Sequence, residues 1–174
     1  LLPTLQESGG KVAVILATDG LPTNAYGVCD SHTKHEFVRS LQALEGLPVW
    51  VVVRLCTDED DVVEYYNRLD GQLELSLEVL DDFMEEAKET YSKNRWLNYA
   101  LPLHRCREMG YYNRLFDLLD ERTLTIDEVQ DFLRLLLGDA VMDFDPVADW
   151  EGFVQCVSVL LQKEEMQWNP ATRR

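Results

Sequence analysis

The stretch Lys11-Val-Ala-Val-Ile-Leu-Ala-Thr-Asp-Gly20 decides how the chain is read. Its apolar run, Val12 to Ala17, is rich in β-branched residues. That is the composition of an interior strand buried on both faces, and such strands belong to parallel sheets. Thr18-Asp19-Gly20 falls where the strand ends. In an open α/β sheet, ligands bind at the carboxyl ends of strands, so Asp19 is the first candidate for a functional side chain. The triplet also has a purely local reading, a turn Asp bonded to its own backbone with Gly20 at positive φ.

Upstream, Leu2 and Leu5 fit the end of a helix stopped by Gly9-Gly10. Downstream, Thr33-x-x-Glu36 has the form of a capping box, and the helix it starts carries Phe37, Leu41 and Leu44 on one face. Leu47-Pro48 leads into a second apolar strand, Val49 to Cys56. Thr57 is placed to cap the next helix. Asp58, Glu59, Asp60 and Asp61 crowd its first turn, where carboxylates complement the helix dipole. Because they follow a strand's carboxyl end, they also share Asp19's rim. Cys56 stands at that strand end with no histidine to activate it, and reads as a packed thiol. His32 and His35 lack a third metal ligand.

The second helix shows its apolar face in Val62, Val63, Tyr65, Tyr66 and Leu69. Leu73, Leu75, Leu77 and Val79 then alternate with Gln72, Glu74, Ser76 and Glu78, the pattern of an edge strand with one wet face. Asp81-Asp82 cap a helix from Phe83 to Tyr91. Strand-helix repeated in this way predicts an α/β fold with parallel pairing and right-handed crossovers.

At this point the first part, residues 1–92, resembles the carboxyl-terminal half of a von Willebrand factor type A domain, the doubly wound, Rossmann-like fold shared with integrin inserted domains. In that family a central strand ends in Thr-Asp-Gly, and its Asp belongs to a metal-ion-dependent adhesion site. Asp19 falls on that Asp. The resemblance implies a non-catalytic protein–protein interaction module in which Mg²⁺ coordinates an acidic side chain of the partner. The family's Asp-x-Ser-x-Ser loop and its site Thr precede the matched segment and are not in this sequence. One carboxylate cannot hold Mg²⁺, which takes octahedral oxygen ligands. An Mg²⁺ site therefore requires residues outside this chain. The strand that normally pairs with the Thr-Asp-Gly strand is also missing, which leaves an apolar edge. A fragment, or a chain whose first strand is covered by a protein partner, is the expectation.

From residue 93 the chain turns to helices without strands. Trp96, Leu97, Tyr99, Leu101 and Leu103 surround Pro102, which suits a helix's first turn. Helices follow over Leu103 to Met109, closed by Gly110, and over Tyr112 to Leu119. His104 reads as a buried core histidine. Thr125-x-x-Glu128 is a second capping box, its helix closed by Gly138, and Asp149 caps a last helix through Leu161. This layout, residues 93–162, resembles a degenerate pair of EF-hands. Asp117 takes the first ligand position of one loop and Glu128 its bidentate last, but Leu119 and Arg122 stand where a ligand and the turn glycine belong. In the second loop, around Asp143 and Asp145, Val141 and Gly152 stand at the first and last ligand positions. With these gaps Ca²⁺ binding is not expected. Residues 163–174 read as a flexible tail.

Composition narrows the partners. The chain's 174 residues carry 16 Lys+Arg against 32 Asp+Glu, a net charge of −16, which repels phosphate backbones and anionic lipid. Nucleic acid is set aside, as is a membrane span, since no apolar run is long enough. Widely spaced cysteines without C-x-x-C fit a reducing, cytoplasmic setting. Two alternatives stand beside the interaction module: a calcium-responsive EF-hand-type regulator, and a hydrolase with its site at the strand carboxyl ends, for which no acid–base pair can be placed.

Overall fold

The computed structural model describes residues 10–173, and the helix end expected at Leu2 and Leu5 lies outside them. The chain divides into two compact units, Leu1–Glu86 with Pro102–Tyr111, and Ala87–Leu101 with Tyr112–Arg174.

The first unit is α/β. It contains β1 (Val12–Thr18), α1 (Ser31–Gln42), β2 (Val49–Leu55), α2 (Asp60–Asp70), β3 (Leu77–Leu80), the start of α3 (Phe83–Lys93) and most of α4 (Leu101–Glu108). The strands form a three-stranded parallel sheet in the order β1-β2-β3, with Val12 level with Val49 and Val51 level with Leu77. Val51, Val53 and Leu55 point to one face, where Leu41 of α1 and Val62, Tyr66 and Leu69 of α2 close the core. Alternate β2 residues face the other way, toward α4: Arg54 Nε lies 2.5 Å from Glu108 Oε1. At the end of α4 the chain crosses β1 closely. Gly110 has φ +82°, and a Cβ there would sit 2.6 Å from that of Ala13, so only glycine fits.

The interior position expected for β1 is corrected. Among the described residues β1 has a neighbour on one side only, and Ala13, Ile15 and Ala17 are exposed while Val12, Val14 and Leu16 are half-buried. The run is apolar on both faces, but the core packs only against the Val14 and Leu16 face. The helix cap is corrected as well. The N-cap of α1 is Asp30, whose Oδ1 accepts from Thr33 N at 2.8 Å. Thr33 is already inside the helix, and its hydroxyl turns back to Asp30. Thr57 is likewise not the cap of α2. Its hydroxyl accepts from Glu59 N, and helix starts only at Asp60. β3 is shorter than the alternation suggests. Leu73 and Leu75 are buried without belonging to the ladder, and Glu78, expected on the wet face, is buried because α4 covers that side.

The second unit is helical: the remainder of α3, α5 (Arg114–Glu121), α6 (Ile126–Leu137), a 3-10 turn (Asp139–Asp143) and α7 (Trp150–Leu161). Phe132 is fully buried, with the rings of Phe116 and Trp96 at 5.2 and 6.1 Å. Val141 and Phe153 pack with Leu133 in a neighbouring cluster. Asn94, at the end of α3, is fully buried and ties the loop after α5 in place. Its amide donates to the carbonyls of Leu119 and Arg122, both at 2.8 Å, and its Oδ1 accepts from Leu124 N at 3.0 Å. Thr125 and Glu128 form the expected capping box, and Asp149 caps α7. In the segment after α7, Pro170 is buried and Gln167 O accepts from Asn98 Nδ2.

Candidate functional site at the strand carboxyl ends

The ends of β1, β2 and β3 bring Asp19, the acids after Cys56, and Asp81-Asp82 to one rim of the sheet. The Thr18-Asp19-Gly20 turn is held from two directions. Thr18 Oγ1 donates to Gly20 O at 2.9 Å, and the Tyr66 hydroxyl reaches over from α2 to donate to the same carbonyl at 3.1 Å. Burial raises the Tyr66 pKa, which keeps that donor protonated, and pushes its neighbour Tyr65 up to about 12. The turn is therefore fixed while the Asp19 side chain is exposed and makes no hydrogen bond or ion pair among the described residues. The local turn reading, in which Asp19 bonds its own backbone, is not what forms: the hydroxyl of Thr18 does that work.

Thr18 O accepts from Cys56 N at 2.8 Å, which locks the first two strand ends together. Asp58 to Asp61 are all exposed beyond them. On the β3 side, burial raises the Asp81 pKa, and the charges of Asp82, Glu85 and Asp58 add to that rise. The rim is thus an acidic lip. It does not assemble a ready metal cage, for no group of His, Cys, Asp and Glu with metal-holding geometry occurs among the described residues. Asp19 alone does not fit an Mg²⁺ ion.

Cys56 is exposed rather than packed, since it stands just past the last residue of β2, and its Sγ has the Arg54 carbonyl at 3.9 Å. All four cysteines are free. His32 is exposed beside Glu36 at 3.6 Å, and His35 is exposed as well.

In the helical unit, Asp117 lies in the first turn of α5, and the chain stays helical from there to Glu121. Leu119 is fully buried. The connection to α6 is just Arg122–Thr125, so Asp117 to Glu128 does not open as a loop of ligand oxygens. Glu128 is engaged: Arg122 clamps both its oxygens, at 2.6 and 2.9 Å, and Thr125 N donates to Oε2 at 2.8 Å. The Arg122 hydrogen bonds, then the Thr125 amide, lower its pKa to about 2. Asp117 and Glu128 do not fit a calcium site. In the second segment Asp145 accepts from Val147 N and Ala148 N, and Asp149 serves as the α7 cap.

One cluster escaped sequence reasoning. Arg107 of α4 is buried between two carboxylates, with Nε 2.7 Å from Glu78 Oε1 and Nη1 2.6 Å from Glu86 Oε2. Next to it Glu108, also buried, meets Arg54, Arg105 and His104 Nε2, the last at 3.5 Å. The only signal in the chain is the Arg105-x-Arg107-Glu108 run on an otherwise apolar helix, and its partners lie far away in sequence. The group pins α4 to the sheet. Burial lowers the His104 pKa and the guanidinium groups nearby lower it further, against the pull of Glu108.

No helix among the described residues is long and apolar enough to cross a membrane. Comparison with protein-family models, with curated proteins and with solved structures returns no match.

Proposed function

We propose that the chain is a non-catalytic protein–protein interaction module of the von Willebrand A type, binding through the outer edge of β1 and the rim at its carboxyl end. The observation that carries this reading is the Asp19 carboxylate, without a partner among the described residues, on a hydrogen-bonded turn at the end of a strand that has a neighbour on one side only among those residues. A protein partner that supplies backbone to that edge and oxygen ligands to the rim would complete both. Asp19 would then contribute one ligand of an Mg²⁺ site, with the rest supplied from outside this chain. Among the described residues of the rim, Cys56 has no base beside it and no acid–base pair is set at hydrogen-bond distance, so the enzyme reading draws no support there.

The test is Mg²⁺ titration by calorimetry. The chain by itself should show no Asp19-dependent binding. Joined to a polypeptide that supplies an Asp-x-Ser-x-Ser loop, it should bind Mg²⁺ in a manner that Asp19→Ala removes. Equal affinities for the wild type and Asp19→Ala in that setting would take Asp19 out of the site and the adhesion-type reading with it.

A further inference from the structure

The outer edge of β1 is complementary to itself. Val12 N donates to Pro48 O and Thr18 O accepts from Cys56 N, so the even-numbered residues spend their backbone groups on β2. The odd-numbered residues Ala13, Ile15 and Ala17 therefore turn their N–H and C=O groups outward. None of these groups has a partner among the described residues. Natural edges are usually protected by charge, proline or a bulge, and Val12–Thr18 has none of these. Charges stand only at its two ends. Lys11 and Asp19 are both exposed, and neither is ion-paired among the described residues. They lie equally far from Ile15 along the strand.

We infer that this edge pairs antiparallel with the same edge of a second copy of the chain, about a two-fold axis at Ile15. In that register Ile15 faces Ile15 of the copy, Ala13 faces Ala17, and Lys11 faces Asp19 at each end. Every outward amide meets an outward carbonyl, and the end charges attract at both ends. A two-fold contact of this kind uses one patch twice, as most soluble dimers do. A groove of about 600 Å³ runs beside Ile15 to Thr18, bounded by Phe37 and Ser40 of α1 and by Leu21. On that side Val14 and Leu16 would stand opposite Leu16 and Val14 of the copy. The three-stranded sheet becomes one continuous sheet through both molecules. This inference rests on the proposed role of the β1 edge as a binding edge and concerns the chain by itself: in the pair Asp19 meets Lys11 of the copy, and a partner that completes an Mg²⁺ site at Asp19 would have to displace that copy.

Sedimentation velocity across a concentration series, with circular dichroism as the folding control, tests it. The wild type should dimerise. Lys11→Glu and Asp19→Lys should each weaken the dimer about tenfold, because attraction becomes repulsion at both ends. The double exchange Lys11→Glu/Asp19→Lys should restore it. Ile15→Pro removes only an outward amide, a change that an edge strand tolerates, and should weaken the dimer about a hundredfold or more. A dimer indifferent to Ile15→Pro, or a double exchange that fails to restore pairing, overturns the inference. For a monomeric wild type, hydrogen exchange at Ile15 and Ala17 separates the two readings. Fast exchange overturns the two-copy pairing and leaves an open edge for a different chain. Slow exchange means the edge is covered by the chain itself, and overturns both.

Discussion

Replacing Arg107 with leucine should cost the sheet unit about 3–5 kcal/mol. The guanidinium is buried and is shared by Glu78 and Glu86, both of which are buried too. Its removal takes the guanidinium from two carboxylates that are themselves buried, and each must then hold its charge away from water without that cation. An exposed pair of the same geometry would be worth only about 0–1 kcal/mol, so burial sets the size of the effect. Against a total stability of about 5–15 kcal/mol for a typical domain, the loss would leave the unit near the edge of folding. Urea denaturation read from far-UV circular dichroism and tryptophan fluorescence measures it. A companion variant, Arg107→Leu/Glu78→Leu/Glu86→Leu, removes the charges together and should recover most of the loss, because an all-apolar replacement needs no desolvation of ions. A single variant that loses less than about 1 kcal/mol would show that the cluster is effectively solvated and that α4 is held by something else.

Two further outcomes follow from buried polar groups. Asn94→Ala should destabilise the helical unit by about 2–3 kcal/mol in thermal or urea unfolding, because it orphans the carbonyl of Leu119 and the amide of Leu124. Asn94→Asp should do no better, since a carboxylate cannot donate to the Leu119 and Arg122 carbonyls. His104, whose pKa is lowered by burial, binds its proton less readily in the folded chain than in the unfolded one. Its contribution to stability is complete above its unfolded pKa of about 6.5 and is lost as pH falls through the lower folded value. His104→Gln should therefore flatten the pH dependence of stability below neutrality, and an unchanged slope would mean that the imidazole is not the titrating group.

What could be read from the chain was what neighbouring residues decide. Val12–Thr18 and Val49–Leu55 form strands from their own apolar, β-branched composition, and Thr125-Glu128 and Asp149 start helices through bonds within a single turn. Even so, local patterns compete. Thr33-x-x-Glu36 has the right letters for a cap, but Asp30 stands one turn earlier, and its carboxylate takes the Thr33 amide first. What stayed hidden was decided at a distance. Glu78 occupies a polar position in an alternating run, and only the return of α4 makes that position an interior one. The exposure of Ile15, at 47%, depends on what lies beside β1 rather than on the strand itself. At the candidate site, the place of the bend after β1 was legible, whereas what holds it was not: Thr18 rather than Asp19 bonds the backbone, and the hold of Tyr66 on Gly20 joins residues far apart in the chain. The EF-hand outline matched at Asp117 and Glu128 as letters, but Arg122 beside Glu128 turned the would-be ligand into half of a clamp.

The interleaving of the two units along the chain has a consequence for biosynthesis. The sheet unit ends with Pro102–Tyr111, after the chain has already visited the helical unit through Ala87–Leu101. A ribosome that has released everything up to α3 has delivered Glu78 and Glu86 without the arginine that neutralises them, and Trp50 without the helix end that crosses beside it. Vectorial folding of the nascent strands must wait for α4 to emerge. Gene fragments cut after α3 would encode the same unfinished intermediate, so the natural cloning boundary for the α/β body lies beyond Tyr111.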